Sequence, residues 1–385
     1  MSDVQALCSL VAGGVAASEE HSQHGCRDHA ERQIPAAAPP TPESDPAIRE
    51  SAQLHADCTD LTSMNAFPYE FATDAFGVIA LLSQAPTDAT KLVERQPEQL
   101  VDGARVYDQI EPLPDGGVRI GAQVRNADLA ADRTIRAHYP VLAQALHAGA
   151  SGQLLDDATV ECNLLQRTRC IYFQDVTRPC NKRAPGSGCP AREGYHRELS
   201  ILGTSPTCIA THPSDMAVAL AALDALVSTL GPAGERTIPL ADFHRLPGNE
   251  PERDTVLAHR ELITAVDLPP LDGAVRSRYS TVRDRASNAS ALVTVAAALD
   301  VTDGIVRDAR LALGGVAPRP WRAWKAEARL RGKVATEAAF RGAAESELAD
   351  AQPLPGNAYK VPLTRNLIVR TLLDLLEEAQ VEART

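Results

Sequence analysis

The stretch from Thr159 to Asp215 constrains this chain more than any other. Four of its cysteines, Cys170, Cys180, Cys189 and Cys208, have 9, 8 and 18 residues between successive members. The loop that joins them, which includes PCNKRAPGSGC, is rich in Pro, Gly and Arg and offers few apolar side chains to pack. A hydrophobic core cannot fix such a loop, whereas four thiolates converging on one ion or cluster replace a core locally.

Composition narrows the setting. The 385 residues suffice for two or three domains, and the apolar content of 44% is ordinary for a globular chain. No apolar run approaches the ~20 residues that cross a bilayer, so no membrane segment is expected. A net charge of −12 with no basic aromatic stripe argues against nucleic acid as a partner. Eight cysteines in so long a chain are too few for a disulfide scaffold, and their clustering favours a metal site in a reducing compartment.

Residues 1–63 read as a disordered or extraneous N-terminal extension, because EEHSQHGCRDHAERQ and IPAAAPPTPESDP are polar or Pro/Ala-rich. His21, His24, Cys26 and His29 have ligand chemistry, but no second ligand group at zinc-finger spacing follows them. From Met64 the pattern turns globular. Asp74 is a candidate cap for a helix in FATDAFGVIALLSQA, and DGGVRIGAQV reads as a turn followed by a strand. NADLAADRTIRAHYPVLAQALHAGAS reads as helical segments broken at Pro140, and PSDMAVALAALDALVSTL as a helix followed by a strand. TIPLADFHRL is expected to be a short strand or turn, and ELITAVDLPP a full strand. Beyond a linker near Leu271–Ala274, VTVAAALDVTDGIVRDARLALGG reads as two strands joined by a tight Asp-Gly turn. Helices are expected over Trp321–Arg331, Thr336–Ala349 and Thr364–Glu378.

Several phrases, taken in order, resemble one family. PYEFATDA, GGVRIGAQVRNADLAAD, YPVLAQAL, GASGQL, ATV followed after two residues by NLLQRTRC, CNKRAPGSGC, ATHPSDMAVALAALDA, IPLADFHRLPG, ELITAVDLP, VRDRAS, ARLALGGVAPRPWRA and PLPGNAYKV are similar to the FAD-binding (medium) subunit of the xanthine dehydrogenase / molybdenum hydroxylase family. The likeness is greatest to its aldehyde-oxidising branch and looser to 4-hydroxybenzoyl-CoA reductase. It implies an α+β chain: a two-subdomain FAD-binding domain of PCMH type over 64–272, then a small CO-dehydrogenase-flavoprotein-like α+β domain over 276–380. It also implies that Cys170, Cys180, Cys189 and Cys208 hold a [4Fe–4S] cluster. Lys182, Arg183, Arg167 and Arg169 would then offset the cluster's negative charge. A structural Cys₄ zinc site and unliganded buried thiols are competing readings of the same cysteines. Cys8, Cys26, Cys58 and Cys162 have no counterpart in the family.

The implied flavin site is altered. Family members cradle the FAD diphosphate on two Gly-rich turns, because only glycine lets backbone N–H groups approach so closely. TDATK stands where an AGGTNL-type loop belongs, and Ala158-Thr159-Val160-Glu161-Cys162-Asn163 replaces ATVGGN. Bringing the Glu161 carboxylate close to a diphosphate is unfavourable in a poorly solvated site. Thr281 stands where a lysine is common, and Asn288 and Ser290 where aromatics are usual. Thr159, Asn163, Asp215 and Leu262 match positions that meet the flavin nucleotide in the family. Asp215 is equally a candidate helix cap, Leu262 a candidate for plain strand core, and Lys360 a candidate for a solvated surface lysine.

Two functions follow from the resemblance. One is an FAD-binding electron-transfer subunit that passes electrons from iron–sulfur centres through FAD to an external acceptor. Its partners would be a molybdopterin-binding large subunit and a [2Fe–2S] small subunit. The alternative is a flavin-deficient structural relative that retains the scaffold and the cluster. The expected location is cytoplasmic, with export beside a signal-bearing partner as the other route. No Walker A, G-x-S-x-G, H-E-x-x-H or Rossmann motif occurs, and His196, His212 and His244 read as separate loop residues.

Overall fold

Two antiparallel sheets share a layer of small-residue helices between them. The computed structural model describes residues 69–71, 100–102 and 107–382, apart from 272–274 and 285–289. The N-terminal extension, the helix expected after Asp74, the TDATK stretch and Asn288 lie outside the described residues.

Tyr69–Phe71 (β1) and Leu100–Asp102 (β2) pair in parallel. Ile110–Pro112 (β3) and Val118–Gly121 (β4) flank the Asp-Gly-Gly turn. Helices follow at Asn126–Ala131 (α1), Arg133–His138 (α2), Pro140–Gly149 (α3), Gly152–Asp157 (α4) and Val160–Leu164 (α5). Pro140 opens α3 as well as ending α2, at a position where its missing N–H has no intrahelical partner to lose. The cysteine-rich loop holds one turn of helix, Ile171–Gln174 (α6), and a 3₁₀ turn at Pro190–Arg192. Asp215–Ala222 (α7), Leu226–Gly231 (β5), Gly234–Pro239 (β6), Leu240–Phe243 (α8) and Leu262–Leu268 (β7) complete the first domain. Its sheet has the order β3-β4-β7-β5-β6.

The second sheet, ordered β11-β10-β9-β8, is built from Arg276–Val282 (β8), Val293–Thr302 (β9), Ile305–Gly314 (β10) and Trp321–Arg322 (β11). Asp303 (φ 53°) and Gly304 (φ 72°) make the expected two-residue turn between β9 and β10, with both residues left-handed. Trp324–Leu330 (α9), Glu337–Leu348 (α10) and Lys360–Glu382 (α11) follow. Trp321 therefore begins an edge strand rather than a helix, because it and Arg322 pair with Leu313 and Ala312.

The alternation on β9 shows how the two domains meet. Val293, Val295, Ala297 and Leu299 belong to one core with α9, α10 and α11, whereas Ala296 packs into the core of the first domain. From Met216 to Ala222 every residue of α7 is buried, so this helix is apolar all round. Its alanines let it fit between α3 and the β9–β10 face.

Candidate functional site

The cysteine-rich loop has its own small core. Cys170, Cys180 and Cys208 are buried with Phe173, Ala191, Leu199, Ile209 and Ala210, and Cys189 packs against them. All four thiols are free and line a single cavity with Lys182, Pro190 and Thr207 among others. The loop is tied internally by side-chain to backbone bonds. Asn181 accepts from the Gly188 N–H at 2.8 Å and donates to the Thr207 carbonyl at 2.9 Å. Gly188 has φ 105°, which a side chain would strain.

Backbone N–H groups point at the sulfurs. Cys170 accepts from Tyr172 and Phe173, Cys189 from Ala191 and Ile209, and Cys208 from Ala210. Such donors stabilise thiolates, and in iron–sulfur proteins they tune the cluster. Against them, burial pushes the Cys208 thiol up to about 11, with the Lys182 ammonium pulling it back. Without a metal these thiols stay protonated, and binding a metal would deprotonate them. Among the described residues, no group of three or more His, Cys, Asp or Glu side chains is placed to hold a single metal ion. A tetrahedral zinc would bring its sulfurs to about 3.8 Å of one another. A cubane spreads its four thiolates more widely, since each sulfur binds a different iron. Four cysteines are the donor set that either a zinc ion or a [4Fe–4S] cluster takes, and the loop gathers all four on one cavity.

The cations around the loop are arranged differently from the sequence-based expectation. Lys182 and Arg167 both bind Asp254, the arginine at 2.8 Å, and together they hold that half-buried carboxylate at about 2. Arg183 donates to the carbonyls of Tyr172 and Phe173, and Arg169 is exposed at the loop's edge. Lys182, facing Cys208, and Arg192, facing Cys189, are the cations that act on the sulfurs. His212 and His244, expected as separate loop residues, are in edge-to-face contact at 4.3 Å. Burial holds His244 at about 4, so both rings are neutral at pH 7. The Nε2 of His244 donates to the Leu164 carbonyl at 2.9 Å, which joins the loop's base to α5.

The positions matched to the flavin nucleotide are occupied by the chain itself. Thr159 caps α5 and accepts from the Cys162 N–H. The Val160 N–H donates to Val124, the Glu161 N–H to Ala122 and the Asn163 N–H to Thr159. The Glu161 side chain is buried and accepts from Gln123 Nε2, and desolvation raises its carboxyl to about 7. Asn163 Oδ1 accepts from Gln166 at 2.8 Å and from Ser214 Oγ at 2.7 Å. Ser214, not Asp215, caps α7, accepting from the Ala217 N–H at 2.9 Å. Asp215 instead accepts from the Tyr279 hydroxyl at 2.6 Å and from Arg283 at 3.2 Å. Leu262 is buried at the start of β7, opposite Leu230. The structure thus brings Asn163 and Asp215 together through Ser214, and it leaves the α5 turn with no open backbone donor. These residues do not fit a diphosphate as they stand.

A second cavity lies where α7 meets the second sheet, lined by Arg169, Glu198, His212, Asp215, Ser290 and Gly315 among others. Lys360 braces its wall, with Nζ donating to the Glu198 and Gly315 carbonyls at 2.6 Å each. Far from being a solvated surface lysine, Lys360 is fully buried, and desolvation lowers its amine to about 7. A neutral amine still has the two hydrogens that these carbonyls take.

Comparison with known proteins agrees with this architecture. The FAD binding domain in molybdopterin dehydrogenase matches residues 84–271, and the CO dehydrogenase flavoprotein C-terminal domain matches residues 278–375. The aldehyde oxidoreductase FAD-binding subunit PaoB of Escherichia coli (strain K12) is 49% identical over 298 residues, covering 77% of this chain and 89% of PaoB. The carbon monoxide dehydrogenase medium chain of Hydrogenophaga pseudoflava is 26% identical over 323 residues, covering 80% and 96%. Among solved structures, carbon monoxide dehydrogenase from Hydrogenophaga pseudoflava superposes with a TM-score of 0.62 at 23% identity, covering 81% of this chain and 97% of that one. Quinoline 2-oxidoreductase from Pseudomonas putida 86 superposes with a TM-score of 0.60 at 21% identity, covering 82% and 98%. The chain belongs to the FAD-binding medium-subunit family of the molybdenum hydroxylases and is an oxidoreductase subunit of α+β architecture.

Proposed function

We propose that the chain is the electron-transfer subunit of a molybdenum-containing aldehyde dehydrogenase complex, holding a [4Fe–4S] cluster on Cys170, Cys180, Cys189 and Cys208. The observation that carries this reading is the convergence of four free thiols on one cavity, with backbone N–H groups aimed at three of them. When bound, the cluster supplies one-electron transfer. The chain's part is to ligate it, to screen its sulfurs with N–H donors and Lys182, and to limit water access by burying three of the four ligands. The aldehyde-oxidising assignment is supported by the 49% identity to the PaoB subunit. Partners of this reading are a molybdopterin-binding large subunit and a [2Fe–2S] small subunit. No helix among the described residues is long and apolar enough to cross a membrane.

The family route continues through FAD to an external acceptor. A second reading, a flavin-deficient subunit that retains scaffold and cluster, is favoured by one observation: the closed α5 turn. The cluster is tested on anaerobically purified protein by its visible absorption and by iron and sulfide assay. Cys180→Ser should abolish iron binding. Unchanged iron in that variant would overturn the assignment.

A further inference from the structure

We infer that this subunit does not take up FAD, and that the residues matched to the nucleotide have become an internal lock between its two domains. The inference rests on the family reading of these positions and not on the presence of the cluster.

The first line of argument concerns backbone donors. A diphosphate is held on glycine turns because N–H groups there are free and nothing projects between them and the phosphate oxygens. Here Val160, Glu161 and Asn163 donate to backbone carbonyls, and Cys162 donates to the Thr159 hydroxyl. The turn has become the first turn of α5, stitched to the 122–124 segment. Glu161 adds a buried side chain, held by Gln123, at a position where the family has glycine. A dinucleotide would have to break these bonds and meet a carboxyl group of its own charge sign.

The second line concerns what the retained polar residues do instead. Both oxygens of Asp215 are engaged, one by Tyr279 and the other by Arg283. Tyr279 lies on β8, and Arg283 directly follows that strand, so both partners come from the second sheet. The same seam holds more bonds. The Tyr279 N–H donates to Gln144 Oε1 at 2.8 Å, the Val141 N–H to Ser277 Oγ at 3.4 Å, and Arg283 to the Ala148 carbonyl. Asn163 extends the lock to α5 through Ser214, the cap of α7. Each oxygen of this carboxylate already accepts a bond from the second sheet, so Asp215 ties α7 to β8.

The test is acid release of flavin from the full-length chain, purified alone and in its complex, read by fluorescence beside an iron assay. No flavin in either preparation, and no rise in melting temperature on adding excess FAD, is the expected result, because a ligand that binds the native state raises that temperature. Stoichiometric flavin would overturn the inference, whatever the iron content. Iron without flavin supports both the inference and the electron-transfer reading. Absence of both supports the inference and sinks the cluster. Asp215→Asn provides an independent readout: the lock predicts a lower melting temperature with flavin content unchanged. Loss of flavin in that variant, from a native protein that held it, would return Asp215 to the cofactor.

Discussion

Glu161→Gln isolates the strongest electrostatic strain in the altered turn. The Glu161 carboxyl is buried, and desolvation raises it from 4.5 to about 7 despite the bond from Gln123. Between those values the native state holds a proton that the unfolded chain has released. Folding stability therefore falls as pH rises through this window. Integrating over the shift gives a cost of about 3 kcal/mol at pH 8 and under about 1 kcal/mol at pH 5. Glutamine keeps the shape and, through its amide, the contact with Gln123, but it carries no charge to desolvate. The variant should thus be more stable than the native protein by about 3 kcal/mol at pH 8, with most of that gain gone at pH 5. Urea denaturation of both proteins at several pH values between 5 and 8 measures the difference directly. Other titrating groups cancel in the comparison. Parallel stability profiles for the two proteins would refute the reasoning, since they would place the carboxylate in water.

Two further perturbations test the second domain. Arg322→Ala should cost about 3–5 kcal/mol in denaturant unfolding, because it leaves the fully buried Glu327 with only the Leu311 N–H and the more distant Arg331, and removes the tie to Asp224. A loss under about 1 kcal/mol would show that the pair is solvated. Lys360→Met tests the buried amine. With the amine lowered from 10.5 to about 7, the unfolded chain binds a proton that the native state lacks. Native stability should therefore rise by about 2 kcal/mol from this group between pH 7 and 9, and the variant should lack that rise.

The fold was largely legible because its periodicities are strong. The Asp-Gly turn and the apolar runs around it announce β9 and β10, and Pro140 marks the join between α2 and α3. β8 is not legible in the sequence because its buried face carries Ser277 and Tyr279, polar types that give no hydrophobic alternation. α11 starts at Lys360, earlier than Thr364, because Pro362 in its first turn loses no helical hydrogen bond. Lys360 itself misleads, since the carbonyls that solvate it, Glu198 and Gly315, are distant in sequence. The charge pattern of the cysteine loop misleads for the same reason: Asp254 reaches Lys182 and Arg167 from outside the loop.

The two cofactor sites of the family place different demands on a sequence, and that difference explains why they can part company. A cluster is held by side chains, so four thiols on a loop that packs as its own small core suffice to keep the donor set. The C-terminal segment helps to fix that loop, with Asn357 donating to the Leu199 and Ser200 carbonyls and the Gly356 N–H donating to His196. A dinucleotide is held chiefly by backbone donors, so its site depends on the side chains being absent. Side chains at those positions would close such a site, since they fill the space that glycine leaves open. The contact between the domains does not depend on such a ligand, because Asp215, Tyr279 and Arg283 join them directly.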